Sequence, residues 1–162
     1  MARTDTIWYE GPSGDEFIPD PTAEQMREVL GRDYDSYWGP YSPVGLLTWH
    51  RHPPQEVPTR VGLGTATQLH QLLFVMHPEW GVYFEYDDQV PHDPSADRGE
   101  WVEHWACGEP MFFRAACFIP RELAERIVVD FLAAGRPSQL VSWVRSSTVR
   151  PRLPPDQWRE QE

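Results

Sequence analysis

His50-Arg51-His52 sets two imidazoles at i and i+2, which puts both on one side of an extended chain, a spacing that metal sites use. A zinc site needs three or four ligands, and no further imidazole or thiol sits nearby in sequence. Two solvated histidines in a proline-flanked loop are therefore the expectation. Cys107 and Cys117 would act as nucleophiles only with a histidine beside one of them, and neither lies in a sequence context that marks a catalytic thiol, so both read as small core residues. His104 reads as a surface residue facing Arg114 across a hairpin. Asp87-Asp88 is weak evidence for acid–base work, because neighbours along a strand point to opposite faces and an acidic chain holds many such pairs. Val61-Gly62-Leu63-Gly64 has the glycines of a phosphate loop but no Gly-Lys-Ser/Thr after them, and Pro151-Arg152-Leu153-Pro154 fits PxxP as easily by chance. No catalytic residue, no metal and no cofactor is expected.

The chemistry that remains is recognition. Glu79, Trp80, Tyr83, Glu85, Asp87, Asp88, Asp93, Asp97, Glu100 and Trp101 interleave carboxylates with large rings, a mixture suited to docking on a basic protein surface through aromatic anchors. The plainer reading of the same segment is an edge strand and loop kept charged against aggregation. A small-molecule site or minor enzyme, with a pocket built from the rings of the Tyr34–Tyr41 loop, is the competing functional reading.

Positioning those residues requires elements that the residue pattern supplies unevenly. Ile7-Trp8-Tyr9 suits a short strand. Asp20-Pro21, or Thr22 with Gln25 three positions on, starts a helix that carries Met26, Val29 and Leu30 and ends at Gly31. Residues 32–43 are an aromatic, Gly- and Pro-rich loop; Val44–Trp49 reads as a strand, and beyond a proline-broken stretch Leu69–Met76 suits a buried strand or a short helix, with strand favoured. Trp80, Val82, Phe84 and Tyr86 alternate with Tyr83, Glu85 and Asp87, which predicts a half-buried strand, and residues 88–99 then read as a surface loop.

Trp101–Cys107 and Met111–Phe118 flank Gly108-Glu109-Pro110. If that three-residue loop closes symmetrically, Trp105 lies opposite Phe113, and Trp101, Trp105, Met111, Phe113 and Ala115 form a core face. The most regular segment follows. Leu123, Ile127, Val128, Phe131 and Leu132 recur at helical spacing from Pro120, with Gly135 and Pro137 set to end the helix near Ala134, and Gln139–Val144 reads as a closing strand. The fold class predicted is α+β, one mainly antiparallel β-sheet with two principal helices at about 21–30 and 120–134. Residues 1–144 form a single domain, and 145–162 a Pro-rich polar C-terminal tail.

Composition bounds the partner. The 162 residues carry 25 Asp and Glu against 14 basic residues, all of them Arg, for a formal charge of -11, and the excess of acid lies entirely within residues 1–100. Such a chain repels nucleic-acid phosphates and anionic membrane surfaces, so neither is an expected partner, while a basic protein is. With no apolar leader after Met1 and no apolar run of membrane-spanning length, a cytoplasmic monomer or weak dimer is expected.

The block Ile119-Pro120-Arg121-Glu122-Leu123 through Phe131-Leu132-Ala133-Ala134-Gly135-Arg136-Pro137, closing on Val141-Ser142-Trp143, resembles the end of an immunity-protein family of bacterial polymorphic toxin systems, in which a helix ending Phe-Leu-x-x-Gly-Arg-Pro runs into a Trp-bearing strand. The resemblance covers about a fifth of the chain in specific residues. It implies an α+β immunity protein that binds a cognate toxin domain made by the same cell, often a nuclease or nucleic-acid deaminase, and blocks it. On this reading Phe131, Leu132 and Trp143 pack helix to sheet and Gly135 caps the helix.

Overall fold

The computed structural model describes residues 5–14, 16–51, 67–106 and 108–149. Its elements are β1 (Asp5–Glu10), β2 (Phe17–Pro19), α1 (Ala23–Leu30), β3 (Val44–Arg51), β4 (Thr67–His77), β5 (Gly81–Tyr86) and β6 (Gln89–Pro91), then β7 (Trp101–Ala106), β8 (Glu109–Arg114), β9 (Phe118–Ile119), α2 (Arg121–Ala134), β10 (Trp143–Arg145) and the short α3 (Ser146–Val149). One main antiparallel sheet runs in the order β10-β6-β5-β4-β3-β1-β2, with β9 also paired to β5, and β7 and β8 form a separate two-stranded sheet. The α+β class with two principal helices is what the residue pattern predicts.

Local chemistry starts and stops the helices. The Thr22 hydroxyl accepts the Gln25 backbone N–H at 3.1 Å while the Gln25 side chain accepts the Thr22 N–H at 2.8 Å, so two of the backbone donors at the start of α1 are satisfied reciprocally. At the end of α2, Gly135 takes a left-handed φ of 64° and returns its N–H to the Phe131 carbonyl at 2.8 Å, a conformation that a Cβ would strain.

The alternation along each strand sorts its residues onto two faces. On one, Ile7, Tyr9, Leu47, Leu72, Phe74, Met76, Val82, Phe84 and Tyr86 pack under Met26, Val29 and Leu30 of α1 and Ala124, Ile127, Val128 and Phe131 of α2. Each such large side chain, fully buried, is worth roughly 1.5–3 kcal/mol, and this stack is the main source of stability. On the other face, Val75 and Tyr83 pack against Val102, Phe113, Cys117, Phe118 and Val149, which presses the β7–β8 hairpin onto the sheet. The strand β5 is thus buried on both faces, not the half-buried strand its pattern predicts.

Other boundaries differ from expectation for reasons of packing. Residues 88–99 are not all loop, because Gln89–Pro91 pairs with β10 and buries Val90. The closing strand covers Trp143–Arg145, not Gln139–Val144. Residues 145–149 pack on the domain, since the Ser146 N–H donates to the Asp88 carbonyl at 2.6 Å and Val149 is buried. The Val61–Gly64 stretch, His52 and the proline-rich residues from 150 lie outside the described residues. The aromatic loop is ordered, as expected: Tyr34–Trp38 form a single π-helical turn, with the Gly39 N–H donating to the Tyr34 carbonyl at 2.8 Å and Asp33 capping Ser36 at 3.0 Å.

Candidate partner-binding face

The acidic segment singled out in the sequence does not form one surface. Trp80 and Asp87 flank the two ends of β5, roughly 20 Å apart at strand rise, and five of the ten residues have structural duties. Tyr83 is 1% exposed, its ring edge-on to Phe113 at 5.0 Å between centroids, so it pins the hairpin and offers nothing to a partner. Asp97 accepts from His92 Nε2 at 2.7 Å and from the Gly99 N–H at 2.7 Å, and Arg114 Nε lies 3.3 Å away. These contacts hold its carboxyl below the usual carboxylate range and spend its charge within the loop. Asp93 is exposed but caps its own turn, accepting from the Ser95 hydroxyl at 2.6 Å. Asp88 anchors α3 through its carbonyl and, with Asp87 at a left-handed φ of 49°, makes the tight turn between β5 and β6. Glu79, Trp80, Asp87, Asp88 and Glu100 remain exposed, Glu85 is half-buried on β5, and Trp101 lies on the hairpin.

It is the hairpin that gathers rings at the surface. The register pairs Ala106 with Glu109 and Trp101 with Arg114, so the loop holds two residues, not three. Gly108, at φ 81°, occupies the second position, where a two-residue turn calls for a residue free of Cβ strain. Relative to the three-residue closure the pairing moves by an odd number of positions, and an odd shift sends partners to opposite faces. Trp105 therefore pairs with Pro110 and faces out, whereas Phe113 pairs with Val102 and faces in. The core face predicted from Trp101 and Trp105 is inverted: Val102 and His104 are buried, and Trp105 is 36% exposed.

The outward side thus presents Trp101, Glu103 and Trp105 along one strand and Arg114, Phe112 and Pro110 along the other. Tyr41, 61% exposed, comes from the aromatic loop to lie edge-on to Trp105 at 5.1 Å, and the Gly108 N–H donates to its carbonyl at 2.9 Å. Arg114 is stacked over the Trp101 ring at 4.7 Å and paired with Asp97, so the net charge offered here comes from Glu100, Glu103 and Glu109, all exposed.

Two neutral histidines seat the hairpin. His104, far from being a surface residue, donates from Nε2 to the Met76 carbonyl at 2.7 Å and lies 3.3 Å from the Tyr34 hydroxyl. Its ring packs 4.5 Å from that of His77, whose Nδ1 accepts the backbone N–H groups of Glu79 and Trp80, both at 3.0 Å. A lone pair engaged twice has no room for a proton. Burial, with the neighbouring His104, pushes His77 down to about 4, and burial lowers His104 as well.

The remaining expectations about reactive groups resolve plainly. Cys117 is a buried free thiol pushed up to about 12 by burial, with Asp97 adding to the effect, which suits a small core residue. Cys107 lies outside the described residues. His50 is not the solvated loop residue expected: β3 runs on through it and buries it against Trp8, ring centroids 4.6 Å apart, and burial lowers its pKa. Among the described residues no group of three or more His, Cys, Asp or Glu could hold a metal ion. No helix among them is long and apolar enough to cross a membrane.

Residue patterns missed Trp105, Phe112 and Tyr41 as surface anchors. The signal for the first two was Gly108, read as the start of a three-residue loop when it fits the second place of a two-residue one. Nothing local ties Tyr41 to the hairpin. Comparison with family models, with curated proteins and with solved structures gives no match.

Proposed function

We propose that this protein is an immunity protein, which binds a cognate bacterial toxin domain with a basic surface and neutralises it by stoichiometric contact in the cytoplasm. The observation that carries the proposal is the outward side of the β7–β8 hairpin, where Trp105 and Tyr41 stand exposed beside Glu100, Glu103 and Glu109. Exposed Trp and Tyr on a rigid strand supply large contact area at little entropic cost, and a rim of carboxylates steers a basic partner into register. The net charge of -11 adds long-range attraction for a toxin whose own cleft handles nucleic acid. The resemblance of the α2–Gly135-Arg136-Pro137–Trp143 block to immunity proteins points the same way.

The competing reading needs a pocket walled by the 34–41 loop. Its inner rings are spent in the core, where Trp38 is 2% exposed against Phe74 and the Tyr37 hydroxyl bonds Tyr9 at 2.8 Å and Glu16 at 3.1 Å, and Tyr41 lies against the hairpin.

The test is co-expression with a candidate toxic domain found encoded beside its gene. A co-purifying 1:1 complex that protects cells is expected, and Trp105→Ala with Tyr41→Ala should weaken it by at least tenfold without lowering the melting temperature. A complex that forms with undiminished affinity in the double variant would remove the hairpin face from the proposal, and absence of any complex would remove the function.

A further inference from the structure

The corner after α2 does more than join helix to strand. Pro137, Ser138 and their neighbours frame an open groove of about 700 Å³, lined by His70 of β4, Tyr86 of β5, Gln89, Arg136, Gln139 and Trp143, on the sheet face opposite the hairpin. That volume is in the range of small-molecule sites.

The groove is held in shape by bonds that leave particular atoms unspent. The Tyr86 hydroxyl lies 2.9 Å from His70 Nδ1 and 3.3 Å from the Gly135 carbonyl, which ties β4, β5 and the end of α2 together at this point. The His70 ring is stacked on Tyr86 at 5.9 Å, and its Nε2 has no partner among the described residues. Trp143 is locked too. Its Nε1 donates to the Ser138 carbonyl at 2.7 Å, and the buried Ser138 is itself tied to Asp130 at 2.6 Å. Burial and then Asp87 raise the Tyr86 phenol, with the nearby Arg136 guanidinium opposing them, and Arg136 makes no ion pair among the described residues.

One indole ring, an imidazole nitrogen, two amides and one cation without an ion pair among the described residues describe a specific occupant. We propose that this groove binds a small planar heteroaromatic anion: a ring that lies against Trp143, with a hydrogen-bonding edge for His70 Nε2 and a carboxylate or phosphate for Arg136. The walls are set before the ligand arrives, so little ordering entropy opposes binding.

Two probes share this chemistry and separate its sources: adenosine monophosphate for a nucleotide and indole-3-acetate for an aromatic acid, with inorganic phosphate as the ringless control. The readout is the indole N–H resonance of Trp143 in two-dimensional NMR, assigned with Trp143→Phe, on protein whose fold is checked by circular dichroism. Saturable shifts with a Kd below about 1 mM for at least one ring-bearing probe are expected. The exposed Arg136→Gln should weaken that binding at least fivefold and leave the melting temperature unchanged. The proposal is overturned if neither ring-bearing probe moves the Trp143 signal, if phosphate alone binds as well, or if Arg136→Gln binds as tightly as the parent protein.

Discussion

The two sides of the central sheet are built from the same kinds of residue and do different work. Beneath α1 and α2, rings and aliphatic side chains interlock from both helices and four strands, and among them Phe74, Phe84, Met26 and Val128 are 0% exposed. On the other side a single hairpin lies over a smaller cluster, seated through Tyr83, Phe113 and two neutral histidines, and turns its remaining rings outward. A helix offers one apolar stripe and must bury it, whereas a hairpin has two faces and can bury one while displaying the other. The first arrangement makes stability and the second makes a surface.

The sharpest break between the two would come from truncating one ring on each side. Phe131→Ala opens a cavity under α2 and should cost about 3–5 kcal/mol in urea denaturation, while Trp105→Ala should cost less than about 1 kcal/mol. Equal costs would mean that the hairpin is as much a part of the core as the helix.

Acidification should separate the two sides next. His77 is held at about 4 in the fold and titrates near 6.5 when unfolded, so the unfolded chain binds more protons between those values. Stability rises with pH through this window and is lost as pH falls from about 6.5 towards 4. The loss is on the order of 1 kcal/mol at pH 5, with His104 and His50 acting in the same direction. The lowered carboxyls of Asp97, Asp93 and Asp33 add their loss only below about pH 4. Because His77 and His104 sit under the hairpin, hydrogen-exchange protection corrected for intrinsic rates should fall in β7 and β8 before it falls in α2. Uniform loss would show that the two sides unfold as one unit.

The smallest contrast is between two glycines. At Gly135 an added Cβ would meet the Trp49 ring at 3.1 Å as well as the positive φ, whereas at Gly108 it would meet nothing within 4 Å. Gly135→Ala should therefore cost about 2 kcal/mol and Gly108→Ala about 1 kcal/mol, the latter from backbone strain alone. A thermal melt of each decides the order.

How far the fold was legible follows the same division. The α2 stripe, its Gly135 stop and the Thr22–Gln25 cap are patterns among near neighbours, and each was readable. The hairpin was readable as a hairpin, yet its inner and outer faces were not, because Trp101 and Trp105 are as apt for a core as for an interface and one residue of loop length exchanges the two. His104 misled for the same reason. Tyr83 alternates correctly with Phe84 but is covered by a hairpin that its own strand gives no hint of. The acidic segment was legible as charge and not as a surface, since Asp97 and Asp93 are consumed by turns.

By itself, then, the amino-acid order determined the longer strands, where two helices begin and end, and that the molecule carries a large negative charge. These rest on interactions within a few residues of chain. Tertiary structure alone decided that β5 is buried twice over, that Trp105 looks outward with Tyr41 against it, and that His70, Arg136 and Trp143 share a groove. Such outcomes depend on strand parity and on which distant surface closes over which, and they are fixed only when the whole chain packs.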